Sequence, residues 1–309
     1  MNYTLNQIQI FLKVTETLSI TKAAEELNLT QPAVSIQLKN FQDQFDIKLI
    51  GSIGRRIYIT DFGLEIAQIA GQILNKITAI NYQAQAHKGL LGGKLKLSVV
   101  STGKYIIPYF ITDFLKLHPG IDLIMDVTNK KKVLLKLKAK VVDFVLVSTL
   151  PKIEADIIDL LENRLYLIGG VEAKQYGLKT INKETLNQLP FVFREEGSAT
   201  RKVMETYLDN HQIKVTKKIE LTSNEAVKQA IIAGLGYSIM PLIGLRDALD
   251  QGLVHIIKSK DLPLRNMWQL VSLKEKEKEK SPVAKAFSDF ILERKDAIVS
   301  NVFSWYEKY

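Results

Sequence analysis

Between Ile20 and Phe41 the chain reads ITKAAEELNLTQPAVSIQLKNF, and its second half gathers Thr30, Gln31, Ser35 and Gln37 around Pro32 and Lys39. These uncharged side chains both donate and accept hydrogen bonds, which is the chemistry that reads base edges in a DNA major groove. A helix that only faces water would more often carry Glu and Lys. Arg55 and Arg56 follow shortly after, placed to meet phosphates. Other chemistry is scarce. There is no cysteine, which excludes disulfides, a thiolate nucleophile and a cysteine-ligated zinc site. The histidines, His87, His118, His211 and His255, lie far apart and show no metal-ligand spacing. No nucleophile is found with a His and an acid, so the chain is read as a non-enzyme without metal or cofactor. The glycine pattern GLGYSIMP lacks the following helix start and later acidic residue of a dinucleotide site.

The elements that must hold these side chains follow from periodicity. Ile8, Phe11, Leu12 and Thr15 recur at helical spacing within Leu5 to Thr17. Ser19 can cap a second helix ending at Leu27, where Ala23 and Ala24 allow close approach of a neighbour. Asn28 and Leu29 make a turn. Thr30 caps a third helix, with Pro32 in the first turn, where a missing amide proton matters least. Val34, Leu38, Phe41 and Phe45 give that helix its buried stripe. Pro32, Ser35, Ile36 and Lys39 then point away from it, and Gln31 projects from the open end. The segment IKLIGSIGRRIYIT reads as two short strands around a glycine turn, so residues 1–60 are a winged helix-turn-helix.

Thr60 opens a helix predicted over residues 61–88, on which Ile66, Ile69, Ile73, Ile77 and Ile80 are spaced like a heptad seam. A winged domain is too small to cover so long a stripe, which predicts a dimer helix. HKGLLGGKLKL is the linker. Beyond it, apolar strands alternate with helical stretches over residues 91–309, the pattern of a parallel sheet with crossovers. Lobe 1 is expected at about 91–162 and 268–309, and lobe 2 at about 163–267. Ligands of such units lie beyond the carboxyl ends of strands, where helix N-termini offer free amides. Ser101, Thr102, Thr128, Ser148, Ser198, Thr200 and Asn224 stand at such places, and Ser223 reads as a helix cap.

Charge refines this. The whole chain carries a net +9, yet residues 1–62 hold six basic and six acidic side chains. Between Gly89 and Lys140 ten lysines face three aspartates, and this excess, without an acidic cluster, predicts an anionic metabolite as ligand. KEKEKEK, from Lys274 to Lys280, reads as a solvated loop. No apolar run reaches the ~18 residues of a membrane span, and the N-terminus shows no secretory pattern, so a cytoplasmic protein is expected.

On SITKAAEELNLTQPAVSIQLKNF, GRRIYITDFG, FREEGSATR and AVKQAIIAGLGYSIMP, the chain resembles the LysR-type transcriptional regulators over essentially its full length. The resemblance implies a helix-rich winged DNA-binding domain, a dimerising linker helix and a two-lobed α/β effector domain similar to periplasmic binding proteins. It implies a homodimer or homotetramer that binds a double-stranded DNA operator, answers a small-molecule effector bound between the lobes and meets RNA polymerase. One departure concerns the segment after the third helix. The family's LFxR pattern is replaced here by LIGS, with Ile50 and Ser52, which leaves more of the phosphate binding to Arg55 and Arg56. A lone periplasmic-type binding protein would account for residues 91–309, but not for the DNA-reading segment ahead of them.

Overall fold

The computed structural model describes residues 3–53, 56–86, 91–149, 153–173, 177, 180–215, 218–274 and 280–309. Arg55, His87, the linker residues 87–90 and the charge run 275–279 lie outside these, as does the side chain of Arg56. The chain divides into two compact units, Met1–Leu90 and Leu91–Tyr309.

The first unit begins with α1 (Leu5–Thr17), α2 (Ile20–Leu27) and α3 (Gln31–Gln42). Each has a side-chain cap. Thr4 and Gln7 form a reciprocal capping box, Ser19 accepts from the Lys22 amide, and Thr30 accepts from the Ala33 amide. Asn28 ends α2 in the left-handed region, at φ 54°, which Asn tolerates better than most residues. The caps set the helix starts, and the apolar faces then close on one another. Val14, Ala23 and Val34 are fully buried in one cluster, and Phe11, Phe41 and Leu49 fill a second. A short antiparallel wing follows, β1 (Ile50–Ile53) against β2 (Arg56–Ile59). Thr60 then accepts from the Gly63 amide at 3.0 Å and opens α4 (Asp61–Ala86).

The isoleucine seam of α4 divides along its length. Ala70 is buried, and Ile66, Ala67, Ile73 and Leu74 pack against the cluster of Phe11 and Phe41. Ile69 and Ile80 are 51% and 68% exposed. Ile66 and Ile73 therefore belong at least partly to the core of their own unit, contrary to a seam reserved throughout for a second copy. The cause is a close approach at the start of the helix. A Cβ on Gly63 would lie 2.0 Å from the Leu49 carbonyl oxygen, so glycine lets this turn press onto the wing and brings Ile66 against the core.

The second unit runs β3 (Gly92–Val100), α5 (Ile107–Leu117), β4 (Gly120–Thr128), α6 (Lys130–Lys138), β5 (Phe144–Val147) and β6 (Ala155–Gly170). It continues through α7 (Lys183–Gln188), β7 (Phe191–Arg194), α8 (Ala199–Asn210), β8 (Lys218–Leu221), α9 (Asn224–Ile232) and β9 (Ser238–Pro241). It ends with α10 (Arg246–Asp250), β10 (Val254–Ile257), β11 (Leu264–Leu273) and α11 (Pro282–Val302). The main sheet has the order β10-β6-β11-β5-β3-β4, with β9 also paired to β6. Parallel pairing, expected throughout, joins among the described strands only β3 with β4 and β5, and β7 with β8, besides isolated bridges such as Phe191 with Tyr237. The long strand β6 and the returning β11 are antiparallel, paired from Leu264 opposite Leu165 to Leu273 opposite Ala155 with a one-residue shift between Trp268 and Gln269. They carry the chain from one lobe to the other and back, so no crossover helix is needed between them. One apolar cluster surrounds β3, β5, α5 and α11, and another gathers Leu167, Phe191, Met204, Ile239 and Ile257.

Candidate functional site

In the first unit α3 shows an outer face at its N-terminal end. Gln31, Pro32, Ile36 and Lys39 are exposed and Ser35 is half-buried, while Val34 and Phe41 lie opposite in the core. Thr30 holds the first turn as its cap. Gln37 is turned inward, where its Oε1 accepts from Gln7 Nε2 at 3.1 Å, so it fixes α3 against α1. Gln42 was not among the residues expected from the sequence. Its Oε1 accepts from the Leu49 amide at 2.7 Å and the Ile50 amide at 3.3 Å, and its Nε2 donates to the Ile47 carbonyl at 3.3 Å. The side chain at the end of α3 thereby anchors the first wing strand, and no local pattern signals it because its partners lie five to eight residues away.

In the second unit a groove of about 1230 Å³ opens where α6 and α8 begin. Asn129 caps α6 by accepting from the Lys132 amide, and Ser198 caps α8 by accepting from the Arg201 amide. Gly197, at φ +84°, brings the chain into α8 so closely that its Cβ position lies 3.8 Å from Lys131 Cβ. Two positive helix ends thus meet across the mouth. Lys130 donates to Thr149 Oγ1 there. Burial, and then the charge of Lys202 on α8, push the Lys130 ammonium below the usual lysine range. Three other cations at the groove are already paired, while Lys260, also in the lining, makes no ion pair among the described residues. Arg201 contacts Glu205 and Glu220 at 2.7 Å each, Arg265 contacts Glu162 at 2.9 Å, and His211 contacts Asp261 at 2.9 Å. Among the described residues, Lys130 and Lys202 have no acidic partner. The arrangement can hold a small anion.

The sequence-predicted ligand residues separate into two groups. Ser198 lines the groove, with Thr149 in place of its neighbour Ser148, which is buried. Lys130, Thr149 and Lys202 were missed, although Lys130 opens the helix after β4 and Thr149 follows β5. Thr102 and Asn224 instead face each other. Asn224 Nδ2 donates to Thr102 Oγ1, and both residues are buried. Beside them Tyr105 donates to Glu225 Oε2 at 2.6 Å. Burial first, then Glu225, pushes the Tyr105 phenol up. Burial would raise Glu225, but hydrogen bonds from Tyr105, Gln229 and Lys228 prevail and hold it at about 2. Ser101, Thr128 and Thr200 are half-buried and do not line the groove. No group of three or more potential metal ligands occurs among the described residues, and no described helix is long and apolar enough to cross a membrane.

Residues 5–64 match the family described as "Bacterial regulatory helix-turn-helix protein, lysR family", and residues 88–296 match "LysR substrate binding domain". The "HTH-type transcriptional activator CmpR" of Synechocystis sp. is 32% identical over 298 residues, 96% of this chain and 97% of that protein. The "RuBisCO operon transcriptional regulator" of Allochromatium vinosum is 32% identical over 293 residues, 94% and 96% of the two chains. Among solved structures, the Synechocystis PCC6803 CcmR regulatory domain in complex with 2-PG aligns at a TM-score of 0.62 and 29% identity, over 66% of this chain and 97% of that one. Full-length CbnR complexed with its target DNA aligns at a TM-score of 0.68 and 19% identity, over 94% and 99% of the chains, which shows a shared fold.

Proposed function

The chain belongs to the LysR family of bacterial transcriptional regulators, and we propose that its effector is a small anionic metabolite held between the N-termini of α6 and α8. It is a DNA-binding regulator with an effector domain, not an enzyme. The observation that carries the proposal is the pair Lys130 and Lys202, which line one groove from the two lobes, close enough for each charge to act on the other, and make no ion pair among the described residues. Like charges so placed repel, and an anion between them turns repulsion into attraction. The binding of 2-PG by the related CcmR domain supports this class of ligand.

Ser198 and Thr149 supply hydroxyls at the same mouth. Thr102 and Asn224, now bonded to each other, exchange that bond for ligand contacts, with Ser101, Thr128, Ser148 and Thr200 around them. Drawing the lobes together then changes the DNA-bound state. At the DNA, Gln31, Ser35 and Lys39 reach base edges or phosphates, Thr30, Pro32 and Gln37 position α3, and Arg55 and Arg56 grip the backbone. Two copies pair through α4, chiefly at Ile69, Ile77 and Ile80, with Ile66 and Ile73 shared with their own core. A homodimer or homotetramer, contact with RNA polymerase and a cytoplasmic location complete the reading.

Calorimetric titration of 2-PG, and of a panel of phosphorylated and carboxylate metabolites, into wild type and Lys202→Gln tests the effector site. The variant should lose at least tenfold in affinity for the anion that binds wild type. Equal affinities would remove the two-lysine mouth from the mechanism.

A further inference from the structure

Charge is distributed between the two units in an unexpected way for a DNA-binding protein. Residues 1–90 carry eight basic and seven acidic side chains, a net of +1, whereas residues 91–309 carry 34 and 26, a net of +8. Affinity for duplex DNA rests largely on cations that displace counterions from phosphates. The unit that reads bases is therefore poor in the charge that this binding uses, and the effector unit is rich in it.

The excess is concentrated on α6. Val133 and Leu137 are buried, which fixes the helix on the sheet and turns its opposite side outward. Two of its lysines are engaged, Lys130 with Thr149 and Lys136 with Asp126 at 2.8 Å. Lys131, Lys132 and Lys138 are exposed and make no ion pair among the described residues. Lys131 and Lys138 are seven positions apart on one face, a span of about 10 Å, which is of the order of a DNA groove width. We propose that this lysine face of α6 binds the phosphate backbone of duplex DNA, adding a sequence-independent contact to the one made by the winged unit.

The composition of the face selects the partner. Protein interfaces favour Arg and aromatic residues at their centres and are depleted in Lys, and this face presents three lysines around a single exposed leucine, Leu135. One isolated apolar side chain makes no hot spot. Lysine, as a point charge, suits phosphate contacts that need no fixed fork geometry. None of these three lysines lines the effector groove, so the proposal does not depend on the effector assignment.

The test measures full-length protein binding to random-sequence duplexes of about 20 and about 60 base pairs by fluorescence anisotropy, across a salt series. Random sequence removes the base-reading term. Wild type is compared with the triple variant Lys131→Gln, Lys132→Gln, Lys138→Gln. It is also compared with a control triple of equal charge loss at exposed Lys116, Lys258 and Lys308, and all three proteins are checked for equal melting temperature. The face variant should show a slope of log affinity against log salt that is smaller by about 2 to 3 on the longer duplex, near 0.9 per lost phosphate contact, with the control unchanged. Equal loss in both triples would mean that net charge alone matters, and overturns the proposal. A wild-type slope in the face variant also overturns it, and loss of retention on immobilised RNA polymerase by that same variant would reassign the face to a protein partner.

Discussion

Lys130 shows how one position would couple local structure to the proposed effector. It opens α6, lies half-buried beside Thr149 and faces Lys202, so its charged form is disfavoured. A bound anion favours that charged form. Anion affinity should therefore be greatest while Lys130 is protonated and should fall as pH rises through its lowered value, before the ordinary 10.5 is reached. Calorimetry of the bound metabolite across alkaline pH checks this, and Lys130→Met should bind weakly with no such fall. Glu225 gives the opposite case. A carboxylate held at about 2 instead of 4.5 stabilises the fold fully above 4.5 and loses that contribution as pH falls toward 2. Tyr105→Phe removes one of the bonds that hold it there. The melting-temperature gap between this variant and wild type should be full at neutral pH and should shrink between those two values. A gap that stays constant down to acid would show that the tyrosine acts through packing alone.

At the scale of elements, what could be read in advance was what is encoded locally. Ser19, Thr30 and Thr60 cap the helices they precede because a hydroxyl needs only the next three residues to find its amide. The α3 stripe of Val34 and Phe41 was likewise visible in its spacing. Gln42 was not, because its value lies in reaching across to the wing. Gln42→Ala leaves the Leu49 and Ile50 amides without that acceptor. It should cost roughly 1–3 kcal/mol and loosen β1 in hydrogen exchange while α1 and α2 keep their protection. The proposed effector site was half legible for a related reason. Residues after strands pointed to Ser198, but the pairing of Thr102 with Asn224 and the facing of Lys130 and Lys202 depend on how two lobes close. The direction of β6 and β11 was also hidden, since an apolar strand reads the same whichever way its neighbours run.

At the scale of the whole molecule, the question is how α4 serves two masters. Its first half is tied to the winged unit through Ala70, Ile66 and Ile73, and Ile80 beyond them stands 68% exposed. An apolar side chain left so open on a long helix has use for a partner helix, whereas Ile73 already has neighbours. The two positions should therefore fail differently. Ile73→Ala should destabilise the winged unit by roughly 1–2 kcal/mol, less than the 2–5 of a fully buried site, and leave the sedimenting mass of the folded protein unchanged. Ile80→Lys should leave the melting temperature of the isolated chain nearly intact and shift the sedimentation equilibrium toward smaller species, because pairing would bury an ammonium in the seam. Sedimentation velocity at micromolar concentration, with thermal melts of the same samples, separates the outcomes. An Ile80→Lys protein that keeps its wild-type mass would rule out this part of α4 as the pairing surface, and Leu64 and Ile69, 55% and 51% exposed, would be the next positions to reverse.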